Sequence, residues 1–172
     1  MSQQPVTTES FLKAYDELSD ALFRHCLYRV YDRERAKDLC QEAFMRTWEQ
    51  VAAGKDIRNL KAFLYRVTNN LVIDDARKKK EASLEAIMES GFEPMGDAGT
   101  AAPNAAELSI VMGVLKEMEP EVRDVIVMRF LDGFGPKEIA EVTGESENVI
   151  SVRLHRGLKR VRAAVENGDD NA

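Results

Sequence analysis

Five cations, Arg153, Arg156, Lys159, Arg160 and Arg162, fall within ten residues that contain no acid, in a chain whose net charge is −6. Guanidinium and ammonium groups at this density do the chemistry of anion recognition. They donate hydrogen bonds to phosphate oxygens, and an arginine fork matches the acceptor edge of guanine. A second run, Arg77-Lys78-Lys79-Lys80, repeats the pattern in the first half of the chain. Groups suited to covalent chemistry are sparse. The two histidines, His25 and His155, lie far apart, and there is no Gly-rich phosphate loop and no Ser nucleophile elbow. Asp74 and Asp75 are neighbours on a helix-like stretch and so point in different directions. Cys26 and Cys40 form no CxxC pair, and they are expected as small buried apolar residues rather than metal ligands. The expectation is therefore no enzyme activity, no cofactor and no metal.

The elements that must carry the larger cluster can be read directly. PKEIAEVTGESENVISVRLHRGLKRVR, from Pro136 to Arg162, suits a short helix, a turn and a longer helix. Ile139, Ala140 and Val142 are the apolar positions of the first. Gly144 sits in the turn, and Ser146 is a good N-cap for the second. Ile150, Leu154, Leu158, Val161 and Val165 recur at three-to-four spacing and must face inward. That leaves Ser151, Val152, His155, Arg156 and Lys159 outward. A helix-turn-helix places such a face in the DNA major groove, with flanking cations on phosphates. Gly157 is expected to weaken this helix by about 1 kcal/mol relative to Ala. Ahead of the motif, Leu108–Met118 reads as one helix, with Leu108, Val111, Val114 or Leu115, and Met118 inward. Pro120 opens another, with Val122, Val125, Ile126 and Phe130 on its buried face and Asp132-Gly133 as its stop.

The first half reads as three amphipathic helices: Phe11 to about Tyr31, Glu34 to Ala52, and Lys61 to about Lys80. The second shows an apolar stripe from Leu39 to Val51 that includes Trp48. Its opposite face carries Lys37, Asp38, Gln41, Glu42, Arg46 and Glu49, and Gly54 ends it. Between the halves, ESGFEPMGDAGTAAPN (89–104) lacks helical periodicity and reads as a flexible tether. Charge is segregated to match. Residues 1–84 are +2, residues 85–109 hold five acids and no base, and residues 110–172 are −3. The predicted architecture is all-α: a helical domain over 1–84, an acidic linker over 85–107, and a helix-turn-helix domain over 108–172. No apolar run reaches the roughly 20 residues a membrane span needs. MSQQPVTTES does not read as a secretory signal, so a cytoplasmic location without membrane insertion is expected.

Taken in order, three segments resemble the extracytoplasmic-function (ECF, group 4) sigma factors of the sigma-70 family of bacterial RNA polymerase. DRERAKDLCQEAFMRTWEQ is similar to the family's AEDLVQEXFLRXW helix. NLKAFLYRVTNNLVIDDARKKK is similar to its WLXXIARNXXXDXXRRXKR segment, with Asn70, Asp74 and Arg77 on pattern. EMEPEVRDVIVMRFLDGFGPKEIAEVTGESENVISVRLHRGLKRVR is similar to its C-terminal domain. Lys37, Val152 and Gly157 depart from the family's usual residues, as does Glu147-Asn148-Val149-Ile150.

The resemblance implies binding to core RNA polymerase at the beta-prime clamp helices and the beta flap. It also implies recognition of −10 and −35 promoter elements, help in melting promoter DNA, and control by an anti-sigma factor. It places polymerase contact at Asp38, Gln41, Glu42 and Arg46. It places −10 recognition and melting at Arg58, Asn59, Arg66, Asn69 and Asn70, with Arg77, Lys78, Lys79 and Lys80 on the backbone. On the recognition helix it assigns the −35 element to Ser151, Val152, Arg153, His155, Arg156, Lys159 and Arg160. The competing reading is a stand-alone helix-turn-helix regulator.

Overall fold

The computed structural model describes residues 6–85 and 105–169, which form seven α-helices. Most of the tether, residues 86–104, lies outside the described residues. So does the expectation that it is flexible. The described helices fall into two compact units.

In the first unit, α1 (Thr8–Val30), α2 (Arg33–Ala52) and α3 (Leu60–Glu85) pack against one another pairwise. The helix starts follow from local hydrogen bonding. Thr7 accepts from the Ser10 amide, while the Ser10 hydroxyl accepts from the Thr7 amide, so two of α1's unpaired donors are satisfied reciprocally. Asp32 caps α2 through the Arg35 amide at 2.9 Å, and Asn59 caps α3 through the Ala62 amide at 3.0 Å. Between α1 and α2 the turn is carried by Tyr31, whose φ of 54° is left-handed; its amide donates to the Leu27 carbonyl. The core is drawn from all three helices, with Leu22, Cys26, Leu39, Ala43, Leu64 and Tyr65 at its centre. Both cysteines are free thiols in that core, as expected. Burial pushes the Cys40 thiol up to about 11.

In the second unit, α4 (Ala105–Glu117), α5 (Pro120–Phe130), α6 (Pro136–Thr143) as far as Ala140, and α7 (Glu147–Asp169) follow in order, and α7 packs on both α4 and α5. Met118, Val125, Ile126, Met128, Ile139 and Ile150 are buried. Phe130 is not, at 56% exposed. Each four-residue step advances about 40° around a helix, so by Phe130 the stripe begun at Val122 has rotated towards solvent. The core position goes to Phe134 instead, which is 2% exposed. Gly133, at φ 74°, turns the chain back, the Phe134 amide donates to the Met128 carbonyl, and Arg129 donates to the Phe134 carbonyl.

Candidate nucleic-acid interface

α7 begins where Ser146 accepts a hydrogen bond from the Val149 amide, after the left-handed turn at Gly144 (φ 76°). Ile150 and Leu154 point into the core. Ser151, Val152, His155, Arg156 and Lys159 all stand exposed on the opposite side, as the apolar spacing requires. Not every cation is equally available. Arg160 pairs with Glu119 at 2.9 Å and half-buried Arg153 pairs with Glu145 at 3.2 Å. Arg156 and Lys159 line a recess together with Arg153, Arg160 and Glu119.

Gly157 has a role the sequence did not disclose. A Cβ built there would lie 2.5 Å from Ile126 Cγ1 and 2.7 Å from Ile126 Cδ1. The glycine is what lets α7 approach α5 closely, so its cost in helix propensity is offset by packing that Ala would spoil.

In the first unit, Arg58 and Arg66 are exposed, and so is Asn59, although its carboxamide oxygen is already engaged as the α3 cap. Asn70 is exposed and lines a groove of about 400 Å³ with Arg46, Glu49, Gln50, Phe63 and Val67. Asn69 corrects the expectation that it shares this surface. It is 4% exposed, and its oxygen accepts from Arg29 Nη2 at 2.9 Å. Consecutive helix residues point about 100° apart, and here that step carries the Asn69 amide onto the packed side of α3 while Asn70 stays outside. The same guanidinium meets His25 Nε2 at 3.1 Å, and because arginine has no acceptor the imidazole nitrogen accepts. Asn69 is thus a strut for a buried arginine.

The basic run Arg77–Lys80, past which α3 continues to Glu85, is exposed throughout. Arg77 lies 3.9 Å from Asp74 and Lys79 lies 3.5 Å from Asp75. Lys78 and Lys80 make no ion pair with a described residue. On α2, Asp38, Gln41 and Arg46 are exposed, Glu42 is half-buried, and Arg46 pairs with Glu42. Beside them runs an apolar groove, and Trp48, which the sequence reading placed on the buried stripe, stands partly exposed along it. Trp48 (36% exposed) and Met45 (64%) line a groove of about 410 Å³ with Phe11, Tyr15, Gln41 and Phe44. The signal was present in the sequence: Met45 lies off the buried stripe.

Two family models match the chain in tandem: Sigma-70 region 2 over residues 14–82 and Sigma-70 region 4 over residues 108–161. The RNA polymerase sigma-E factor of Streptomyces coelicolor is 35% identical over 83% of this chain and 78% of its own length. The chain belongs to the extracytoplasmic-function group of the sigma-70 family. ECF RNA polymerase sigma factor SigW of Bacillus subtilis is 29% identical over 90% of this chain and 88% of its own length. Among solved structures, the sigma factor RpoE in complex with the anti-sigma factor NepR from Bartonella quintana shares the fold. Its TM-score is 0.80 at 19% identity, covering 92% of this chain and 98% of that one. CnrH in complex with the cytosolic domain of CnrY gives a TM-score of 0.68 at 20% identity, covering 94% of this chain and 90% of that one.

Within this sigma factor, α2 and all but the last three residues of α3 lie inside the region 2 match, and the region 4 match takes in the helix-turn-helix of α6 and α7 as far as Val161. The tandem match decides against a regulator built on a lone helix-turn-helix. Sigma factors are regulatory, non-catalytic proteins. No described helix is long and apolar enough to cross a membrane.

Proposed function

We propose that the first unit binds core RNA polymerase and the −10 element while the second reads the −35 element. The boundaries are 1–84 and 108–172, with the acidic segment 85–107 as tether, and the protein acts in the cytoplasm without catalysing any covalent step. The observation that carries this reading is the outward display of Ser151, Val152, His155, Arg156 and Lys159 on a helix whose opposite side is packed. In the major groove, Arg156 donates two bonds to a guanine edge, worth about 1–3 kcal/mol of discrimination. Arg153, Lys159 and Arg160 are within reach of phosphates.

On the first unit, Asp38, Gln41, Glu42 and Arg46 form the polymerase face. Gln41 belongs both to this face and to the apolar groove of Trp48 and Met45, which gives the polar contacts an anchor pocket beside them. That apolar surface is also the natural target of an anti-sigma factor, the class of partner bound in the solved structure of RpoE. Arg58, Arg66 and Asn70 contact the −10 element, and Arg77, Lys78, Lys79 and Lys80 hold strand backbone. Asn59 acts from its cap position through its free amide hydrogens, and Asn69 acts only by keeping α3 in place.

Transcription with core enzyme on a randomised promoter library tests the whole reading. Enriched promoters should share two conserved blocks, and Arg156→Ala should relax one position in the upstream block. Absence of core binding at near-physiological salt, with the protein free of any inhibitor, overturns it.

A further inference from the structure

Two acids from outside α7 occupy two of its arginines. Glu119 precedes α5 and meets Arg160 Nη1 at 2.9 Å; Glu145 lies in the turn before α7 and meets Arg153 Nη2 at 3.2 Å. Both arginines line one recess with Arg156, Lys159, Glu119, Glu121 and Val122, with a volume of about 470 Å³. A phosphate arriving at Arg156 or Lys159 therefore sits beside both paired arginines. Carboxylate and phosphate compete for a guanidinium through the same parallel N–H donors.

We propose that Glu119 and Glu145 are internal competitors of DNA phosphate that set the affinity of the recognition helix for duplex DNA. This rests on the reading that α7 faces DNA. The Arg160–Glu119 pair is solvent-exposed, with the two side chains 45% and 66% accessible. Pairs of this kind are weak, so a phosphate can displace the carboxylate, but each exchange forfeits part of the gain. An arginine that stays with its carboxylate releases no counterion from the DNA and contributes nothing to the salt slope. The arrangement lowers affinity for any duplex while leaving Arg156, the base-reading residue, without an acidic partner among the described residues. Recognition then depends on a second contact elsewhere in the complex, which suits a subunit that must not settle on DNA alone.

The test uses the full chain and a fluorescein-labelled duplex of about 20 base pairs and random sequence, read by anisotropy across a salt series, since phosphate contact is independent of sequence. Glu119→Gln should tighten binding by about 2–5-fold at moderate salt. It should also steepen the slope of log K against log salt by about 0.9, one phosphate's worth. Glu121→Gln makes the same charge change in the same recess without releasing an arginine, so it should leave the slope as in the parent. In an Arg160→Ala background the effect of Glu119→Gln on slope should vanish. Glu145→Gln should act on Arg153 in the same way as Glu119→Gln acts on Arg160. If Glu119→Gln and Glu121→Gln behave alike, or the effect survives Arg160→Ala, the competition is refuted. If instead Arg156→Ala and Lys159→Ala leave duplex binding unchanged, the DNA-facing reading of α7 itself fails.

Discussion

Gly157→Ala offers a sharp test of the second unit's packing, because two physical effects of known size oppose each other there. In an unconstrained helix interior the substitution stabilises by about 0.8–1 kcal/mol. Here the added methyl would meet Ile126 Cγ1 at 2.5 Å, Ile126 Cδ1 at 2.7 Å and Val122 Cγ1 at 3.2 Å. Carbon atoms prefer about 3.5–4.0 Å, so the first two contacts fall short by about 1 Å. Cδ1 can swing away, but Cγ1 is bonded to Cβ, and a β-branched side chain on a helix has one strongly favoured χ1. Relief requires an off-rotamer Ile126 or a shift of α7 from α5. Overpacking of this kind costs about 1–3 kcal/mol. The net expectation is destabilisation by about 1 kcal/mol, with the opposite sign to the propensity argument.

The assay is a double-mutant cycle with Ile126→Ala, read by native-state amide exchange in α5 and α7. A stabilising osmolyte keeps the single Ile126 variant folded. With the isoleucine branch removed, Gly157→Ala should become stabilising by up to about 1 kcal/mol, giving a coupling of about 1–3 kcal/mol. Additive behaviour, with Gly157→Ala stabilising equally in both backgrounds, would refute the close approach of α5 and α7.

Three further outcomes follow from the first unit. Asn69→Ala should cost about 1–3 kcal/mol in urea unfolding, because it removes an acceptor from buried Arg29, whereas exposed Asn70→Ala should stay within about 0.5 kcal/mol. Met45→Asp should leave unfolding unchanged yet weaken binding to core polymerase more than about tenfold in a titration. The Cys40 thiol, raised to about 11 by desolvation, should resist iodoacetamide at pH 8 in the native protein and react once unfolded. Its folded pKa lies above the unfolded value, and the penalised form is the anion. Its contribution is therefore neutral below about pH 9, and stability falls between about pH 9 and 11 as the unfolded thiol ionises.

Much of this molecule was legible because its helices are strongly marked. Ser146, Gly54, Pro120 and Gly144 stand at boundaries where local hydrogen bonding or backbone conformation decides the structure. The outward face of α7 follows from Ile150 and Leu154 alone, since a helix that buries those two must expose Ser151, His155 and Arg156. Legibility ended where a residue's fate depends on a partner distant in sequence. Asn69 and Asn70 are chemically identical and adjacent, and only Arg29, forty residues away, distinguishes them. Phe130 and Phe134 both fit an apolar face, and the turn at Gly133 assigns the core to the second. Gly157 looks like a defect until Ile126 is placed against it.

The same reasoning applies to charge. In sequence, the five cations from Arg153 to Arg162 read as one acid-free block. In space, two of them already have carboxylates, one brought from the start of α5 and one from the turn before α7. A linear count overstates the phosphate-binding capacity of this helix, because charge segregated along a chain can be reunited by the fold. Arg156 and Lys159 are exposed in the recess they share with both paired arginines. On the proposed reading that α7 enters the major groove, these are the cations that DNA meets first, because the fold has already committed two others of the run to carboxylates.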